Sequence, residues 1–259
     1  MSAHISYERL NVIHTNVCLS SCSFPDICHL MQFSGKLSAL PRIKKRRPEY
    51  DSKRQLFDVA VRLFAERGLD AVSVRDITSA AGVNLGAVNY HFGSKDTLIH
   101  EIYAELLGSL QSRRLARLDK VEAEAGGGRL DLESVLRALI EPTVQEGLKS
   151  EGSLNFLPRL MFQAYAVSRP FLDDRLAEEN DRTALRFLDA LSRSVPEVPY
   201  ERICLRYYAI IGGLLQLITD AQGARRIERL SQGRCSGANP NLITEELVAL
   251  YKGGFSATQ

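Results

Sequence analysis

The sequence predicts an all-α protein with a small three-helix N-terminal domain and a larger C-terminal helical bundle. Apolar residues recur every three or four positions through most of the 259 residues, which is the spacing of amphipathic helices. Few stretches alternate apolar and polar residues as strands do. Hydrophobic residues make up 45% of the chain, enough for a substantial core, and the length suits one small and one larger domain.

Residues 1–46 lack the pattern of a folded domain or a signal peptide. Their apolar runs are broken by His, Asn and Ser, and no basic segment precedes a long apolar one. Cys18, Cys22 and Cys28, with His29, do not have the spacing of a common zinc site, so we expect no metal. We expect either a disordered leader or an upstream extension of the reading frame with Met31 as the true start.

The first two helices of the N-terminal domain have clear boundaries. The first is expected to begin at Asp51 or Ser52 and to end at Arg67. Ser73 is a good N-cap for the second, and an acidic residue three positions later completes a capping box. Gly82 follows two alanines, where a helix C-terminus favours a residue that tolerates positive φ.

A third short helix follows after a tight turn. Asn84 is expected to be its N-cap, with the helix over 85–90. Gly93 then ends this helix and Ser94 caps the next one. Two short helices joined in this way form a helix-turn-helix, whose second helix lies in the major groove of DNA.

The residues of this motif divide into two groups of expected DNA contacts. Asn side chains suit adenine, and small apolar side chains suit thymine methyl groups. The expected base contacts are Arg75, Asn84, Leu85, Ala87 and Asn89. Polar side chains at the helix ends suit phosphate oxygens. The expected phosphate contacts are Ser73, Tyr90, His91, Ser94 and Lys95.

The segment from Leu56 to Leu98 resembles the DNA-binding domain of the tetracycline-repressor (TetR) family of bacterial transcription regulators. The resemblance rests on five short stretches of sequence. They are Leu63-Phe64-Ala65-Glu66-Arg67-Gly68, Val74-Arg75-Asp76-Ile77, Ala81-Gly82-Val83, Tyr90-His91-Phe92 and Ser94-Lys95. Many members have Ser or Thr at the place of Asn84 and Tyr at the place of Asn89, so this chain should select different bases. The resemblance implies a homodimer, double-stranded operator DNA and a small effector bound in the C-terminal half.

Charge and cysteine content agree with a DNA-binding end and a cytoplasmic location. Residues 1–114 carry 15 Lys and Arg against 11 Asp and Glu, whereas residues 115–259 carry 18 against 20. The basic run at 42–47 is either a solvated tail or an arm that lies along DNA. Five cysteines and no export signal indicate a reduced protein. No apolar run reaches the roughly 18–20 residues that span a membrane, so we expect no membrane contact.

The C-terminal half is expected to be a bundle that regulates and dimerises. We place the helix-turn-helix domain at 47–96 and the regulatory and dimerisation domain at 97–259. A long helix should run from Lys95 to about Glu124 and end at three glycines. Further helices are expected near 131–149, 154–168, 171–194, 200–221 and 240–253, with a long polar loop over 222–239.

Aromatic residues of this half are candidates for an effector pocket, although such residues are also typical of plain core. The expected lining is Phe156, Phe162, Tyr165 and Phe187, around an apolar or amphipathic molecule and with no other cofactor. Arg159, Arg169 or Arg186 are candidates to bind an acidic group of that molecule.

The helix over 202–220 is apolar on more than one side, which predicts a two-fold partner. The last helix should complete a four-helix interface. The expected interface residues are Ile210, Ile211, Gly212, Gly213, Leu214, Ile218, Leu247, Leu250 and Tyr251.

The sequence contains no Gly-rich phosphate loop and no HExxH pair, so we expect no enzyme. The favoured function is a ligand-responsive regulator, most simply a repressor, that binds a palindromic operator as a homodimer. The alternative is a helical protein that binds a ligand or partner and carries a vestigial DNA-binding domain.

Overall fold

The structure is a computed structural model that describes residues 48–149, 151–166 and 174–256, and all regular elements in these ranges are helical. This confirms the all-α prediction. Ten α-helices and one 3₁₀ turn follow each other along the described parts of the chain. They are α1 (Pro48–Arg67), α2 (Val74–Ala81), α3 (Ala87–Phe92), α4 (Lys95–Ala125), α5 (Leu132–Gly147), the 3₁₀ turn (Ser153–Phe156), α6 (Leu157–Ala166), α7 (Asp174–Ser194), α8 (Tyr200–Gln222), α9 (Arg226–Leu230) and α10 (Pro240–Ser256).

Several expectations fall on residues outside these ranges. They concern the leader, its cysteines and the basic run at 42–47, together with Arg169. The side chain of Tyr165 is also outside the described part of the structure.

Helices α1, α2, α3 and the first half of α4 enclose an N-terminal core. Leu56, Phe64 and Ile77 are buried in it, together with Leu98 and Ile102 of α4. Residues as far along α4 as Leu110 belong to this core. The packing therefore continues past residue 96, where the sequence placed the end of the domain.

Local caps fix the boundaries of α2 and α4. Ser73 Oγ accepts a hydrogen bond from the amide of Asp76, and the Asp76 carboxylate accepts one from the amide of Ser73, which confirms the predicted capping box. Gly82 has φ of 66°, a left-handed conformation that glycine adopts without strain. Ser94 Oγ accepts from the amide of Thr97 and starts α4 as predicted.

The start of α3 differs from the prediction. The N-cap is Gly86, without a side-chain hydrogen bond, and α3 begins at Ala87 rather than Leu85. The Asn84 carbonyl accepts from the amide of Ala87, which makes residues 84–87 a turn of their own. A glycine inside a helix costs about 1 kcal/mol relative to alanine, which agrees with a helix that begins after Gly86.

The C-terminal domain has its own core, built from α5, α7, α8, α10 and the second half of α4. Leu136, Leu139, Phe187 and Leu191 are fully buried in it. Gly147 allows α8 to approach α5 closely, because a Cβ there would lie 2.8 Å from Cγ2 of Ile218.

The predicted loop at 222–239 contains one short helix, α9. The Asp220 carboxylate accepts hydrogen bonds from the amides of Arg226 and Ile227, at 2.9 and 3.0 Å. These two bonds lower the pKa of Asp220, the Ile227 amide being the larger cause. An acidic side chain six residues upstream therefore serves as the cap that the local sequence lacks.

Four residues assigned to a dimer interface are instead core residues, so that prediction is wrong for them. Ile210, Leu214, Ile218 and Leu247 are buried inside their own chain. The reason is α5, which packs against both α8 and α10 and covers their inner faces.

Helix α8 is also the one helix in the described ranges that is long and apolar enough, by composition, to cross a membrane. This criterion is met without an unbroken apolar run, because Arg206 and Asp220 lie within the helix, so the expectation of no membrane contact stays a prediction. The buried inner side of α8 accounts for its apolar character without a membrane.

Candidate nucleic-acid interface and cavity

The outer side of α2, the turn and α3 presents a mixed polar and apolar surface. Arg75, Asn84 and Asn89 are exposed there. Leu85 is 58% exposed and Tyr90 is 73% exposed, so both side chains are accessible to solvent. Four of the five predicted base-contact residues are thus accessible to solvent.

Ala87 is the exception among the predicted base contacts. Its side chain is buried in the N-terminal core, where it packs with the apolar residues of α1 and α4. Ala87 also lines a groove beside α3 with Asn84, Tyr90 and His91, so its contact with the bases stays a prediction. Residue 87 is the first of α3, and a methyl group at this place fills the space under the helix.

The predicted phosphate contacts lie around the ends of the short helices. Ser73 and Ser94 are engaged as helix caps. Tyr90 and His91 line a groove beside α3, with their rings in edge-to-face contact at 5.0 Å between centroids. Their contact with phosphate stays a prediction.

Lys95 has a partner within the chain. Its Nζ donates a hydrogen bond of 2.6 Å to the Leu69 carbonyl and lies 5.8 Å from the centre of the Phe64 ring. The lysine therefore ties the start of α4 to the loop after α1. Lys95 is the first residue of α4, where a positive charge opposes the helix dipole, and this contact within the chain offsets that cost. The role of Lys95 toward DNA stays a prediction.

A cavity of about 540 Å³ lies among five segments of the bundle. Its lining comes from α4, α5, α7, α8 and the segment Ser153–Ala166. Most of the lining side chains are apolar, among them Leu107, Leu110, Met161 and Leu215. This volume is within the usual range for small-molecule sites.

The aromatic residues predicted to line the pocket do not do so where the structure describes them. Phe187 is fully buried in the C-terminal core, and Phe156 packs against the N-terminal core. Phe162 is 48% exposed. The expected helices do form the cavity, but helical spacing alone cannot tell which side of a helix meets which neighbour.

Arg114 is a lining residue that the sequence analysis missed. It is buried, and its Nε and Nη2 donate to Oγ1 of Thr143 at 3.0 and 2.6 Å. A signal was present in the sequence, because Leu110, Arg114 and Leu118 are spaced by four and share one face of α4. The arginines proposed instead are used elsewhere: Arg159 donates to the Gln222 carbonyl, and Arg186 pairs with acidic residues of α4.

The cavity and the helix-turn-helix domain share the wall formed by Ser153–Ala166. Leu157 lines the cavity and is also part of the N-terminal core, with Leu160. Ser153 Oγ donates to Asp58 of α1 at 2.9 Å, and the buried hydroxyl of Tyr103 donates to the Leu160 carbonyl at 2.7 Å. A shift of this wall would therefore change contacts with α1.

Within the described ranges, no three His, Cys, Asp or Glu side chains are grouped so that they could hold a metal ion.

Known proteins resemble this chain in both halves. The family model of bacterial regulatory proteins of the tetR family matches residues 50–102, and that of a tetracyclin repressor-like C-terminal domain matches residues 137–254. Together they cover more than half of the chain. The repressor KstR2 of Rhodococcus jostii is 48% identical over 56 residues, which are 22% of this chain and 28% of that protein.

A second curated relative and two solved structures are also similar to this chain. The regulator AcrR of Shigella flexneri is 31% identical over 105 residues, 40% of this chain and 46% of that protein. The chain thus spans less than half the length of these two relatives. KstR2 of Mycobacterium tuberculosis, described as a ketosteroid transcriptional regulator, has the same fold with a TM-score of 0.56 at 21% identity, over 78% of this chain and 93% of that one. PfmR of Thermus thermophilus has a TM-score of 0.55 at 21% identity, over 79% and 98%.

The helix-turn-helix geometry, the helical C-terminal domain and both family matches agree. The chain belongs to the TetR family of bacterial transcription regulators and is a DNA-binding regulator with a helix-turn-helix domain.

Proposed function

We propose that this chain is a ligand-responsive repressor that binds a palindromic operator as a homodimer in the cytoplasm. The observation that carries the proposal is the exposure of Arg75, Asn84, Leu85 and Asn89 within the helix-turn-helix. Guanidinium and amide groups can each bind a base edge with two hydrogen bonds, and an exposed leucine suits a thymine methyl group.

Dimerisation is supported by what remains exposed on α8 and α10. Leu205 is 71% exposed on α8, and Leu250 is 66% exposed on α10. Leu242 and Ala249 add to this outer surface, which we call the α8–α10 face. A second copy of the chain would cover such a face, because a two-fold axis brings the same surface of both chains together. The interface then consists of outward residues, such as Leu205 and Leu250, and not of the buried ones.

Two chains are also what the DNA requires. One recognition helix contacts few base pairs, and a dimer places a second helix one turn of DNA away. Palindromic operators follow from this symmetry.

Response to a ligand is supported by the shared wall. A molecule in the cavity contacts Leu157 and Met161, and the segment that carries them also contacts α1 of the DNA-binding domain. A ligand that prefers one position of this wall shifts the population of DNA-binding states, with a coupling of about 1–3 kcal/mol.

The test is binding of the purified full chain to the DNA upstream of its own coding sequence. We expect a shifted complex on that DNA that survives an excess of unrelated duplex DNA. If no such complex forms on upstream DNA, while the chain is folded by circular dichroism, the vestigial DNA-binding domain becomes the better account.

A further inference from the structure

We infer that the cavity is completed by a second copy of the chain, which covers its mouth when two chains associate through the α8–α10 face. Binding of an apolar molecule in the cavity and association of the two chains then strengthen each other. The inference rests on the proposed homodimer and the proposed ligand response, but it is tested without DNA.

The mouth of the cavity lies between α7 and α8. Leu185 of α7 and Tyr208 of α8 both line the cavity, and they are 59% and 75% exposed to solvent. Asp181 of α7, another lining residue, is also exposed. Deeper in the lining the side chains of Leu157 and Leu188 are buried. The cavity therefore reaches solvent between these two helices.

The mouth adjoins the α8–α10 face along α8. Leu205, Tyr208 and Gly212 are three and four residues apart, so they follow one another along one side of the helix, and all three are exposed. Leu205 belongs to the α8–α10 face, whereas Tyr208 and Gly212 line the cavity. Helix α10 meets the other edge of this side, where the Tyr251 hydroxyl donates to the Ala209 carbonyl at 2.7 Å. The exposed side of α8 therefore runs between α10 and the mouth.

The size of a protein interface favours a second copy as the cover of the mouth. A two-fold axis through the α8–α10 face places the same helices of both chains against each other. A standard interface covers about 800 Å² of each chain, or roughly 20–30 residues. The apolar residues that define the face are far fewer, so an interface centred on them extends to neighbouring exposed apolar side chains. On the mouth side these are Tyr208 and then Leu185.

Coverage of the mouth changes the affinity of the cavity for an apolar molecule. Apolar surface that stays in water contributes nothing to binding, whereas covered surface contributes in proportion to its area. A single chain therefore binds such a molecule more weakly than the dimer does. By linkage, the molecule favours the dimer over separate chains by the same factor for each copy bound.

The test compares dimer and monomer in their affinity for N-phenyl-1-naphthylamine, an uncharged apolar molecule whose fluorescence rises in apolar surroundings. Leu250→Glu provides the monomer, because Leu250 lies on the α8–α10 face and outside the described lining of the cavity. Leu205→Glu provides a second monomer with α10 unchanged. Leu230→Glu, at a 71% exposed leucine of α9, is the matched control. Sedimentation velocity and circular dichroism check the assembly and the folding of each variant.

We expect both monomeric variants to bind the probe about fivefold or more weakly than the wild-type chain, since part of the probe then stays in water. Leu230→Glu should bind it as the wild type does. Saturating probe should lower the dissociation constant of the wild-type dimer by about the same factor for each probe bound. Ile211→Trp fills the cavity from α8 and should remove this binding, which separates it from probe bound to an exposed apolar face.

The outcomes separate the inference from the proposed function. Equal probe affinity of the wild-type dimer and the folded monomers would overturn the inference and leave the homodimer intact. Binding that Ile211→Trp leaves unchanged would also overturn it, because the probe would then lie outside the cavity. Dimers that persist in both Leu250→Glu and Leu205→Glu would place the interface elsewhere, so the inference fails while the homodimer stands. A wild-type chain that is monomeric at micromolar concentration would overturn the proposed homodimer, and the inference with it.

Discussion

Gly212 and Gly213 are neighbours in α8 with different surroundings. A Cβ on Gly213 would lie 2.7 Å from the Tyr251 hydroxyl, which donates to the Ala209 carbonyl at 2.7 Å, whereas a Cβ on Gly212 meets nothing within 4 Å. Replacing a helical glycine by alanine stabilises by about 1 kcal/mol where there is room. We expect Gly212→Ala to raise the free energy of unfolding and Gly213→Ala to raise it less or lower it, measured by urea unfolding. Equal effects of the two substitutions on the free energy of unfolding would show that the Tyr251 hydroxyl does not require a glycine at residue 213.

Asn89 offers the most specific test of base contact. Asn89→Ala removes two hydrogen-bonding groups from an exposed position of α3, so base preference should change by about 1–3 kcal/mol at one operator position. Competition binding with operators changed one base pair at a time measures this. Asn241→Ala, an exposed asparagine of α10, is the control and should leave every preference unchanged. A uniform loss across all sequences for Asn89→Ala would instead assign Asn89 to the phosphates.

Single residues also show where sequence analysis succeeds. Ser73, Gly82 and Ser94 were placed correctly because caps are decided by residues within one turn. Arg114 was missed and Phe187 was misplaced for a different reason. Which neighbour a helix face meets depends on how α4, α5 and α7 pack, and sequence spacing does not contain that information.

At the scale of elements, ion pairs join α5 to α10. Arg137 donates to both oxygens of Glu245 at 2.7 Å, and also to Glu133, which accepts from Lys252 at 2.8 Å. Hydrogen bonds from Lys252, and then from Arg137, lower the pKa of Glu133. Those from Arg137 lower the pKa of Glu245. A carboxylate with a lowered pKa in the folded state adds stability above its unfolded pKa, and this is lost as pH falls through the folded value.

The pairs therefore predict a pH-dependent variant. Arg137→Met should lower the thermal unfolding midpoint at pH 7, and the difference from wild type should shrink below pH 4.5, the ordinary pKa of these groups. Differential scanning calorimetry from pH 7 to pH 3 measures it. Arg62→Met, on the exposed side of α1, should show no such pH dependence. A constant difference at all pH values would mean that Arg137 acts through packing alone.

Element boundaries were predictable where caps are local and not where they are remote. The starts of α2 and α4 were correct, but α9 was missed because its cap, Asp220, lies on the preceding helix. Likewise the sequence showed that α8 is apolar on several sides but not that α5 covers the inner one. The assignment of Ile210 and Leu214 to a dimer interface failed for this reason.

At the scale of the whole molecule, the α8–α10 face should hold two chains together. Leu250→Glu places a charge on that face and should convert the protein to a monomer with weaker operator binding. Leu230→Glu is the matched control, because Leu230 is 71% exposed on α9 and lies outside this face. Sedimentation velocity at micromolar concentration measures both. A dimeric Leu250→Glu protein that binds DNA normally would place the interface elsewhere.

The central claim is that two copies of this chain bind one palindromic DNA site through their helix-turn-helix domains. Sedimentation equilibrium of the full chain with a duplex from its own upstream region, chosen by footprinting, tests this most directly. The account predicts a complex of two chains per duplex, or a multiple of two, over a protected site with two-fold symmetric halves. A single chain per duplex, or protection without symmetry, would contradict it.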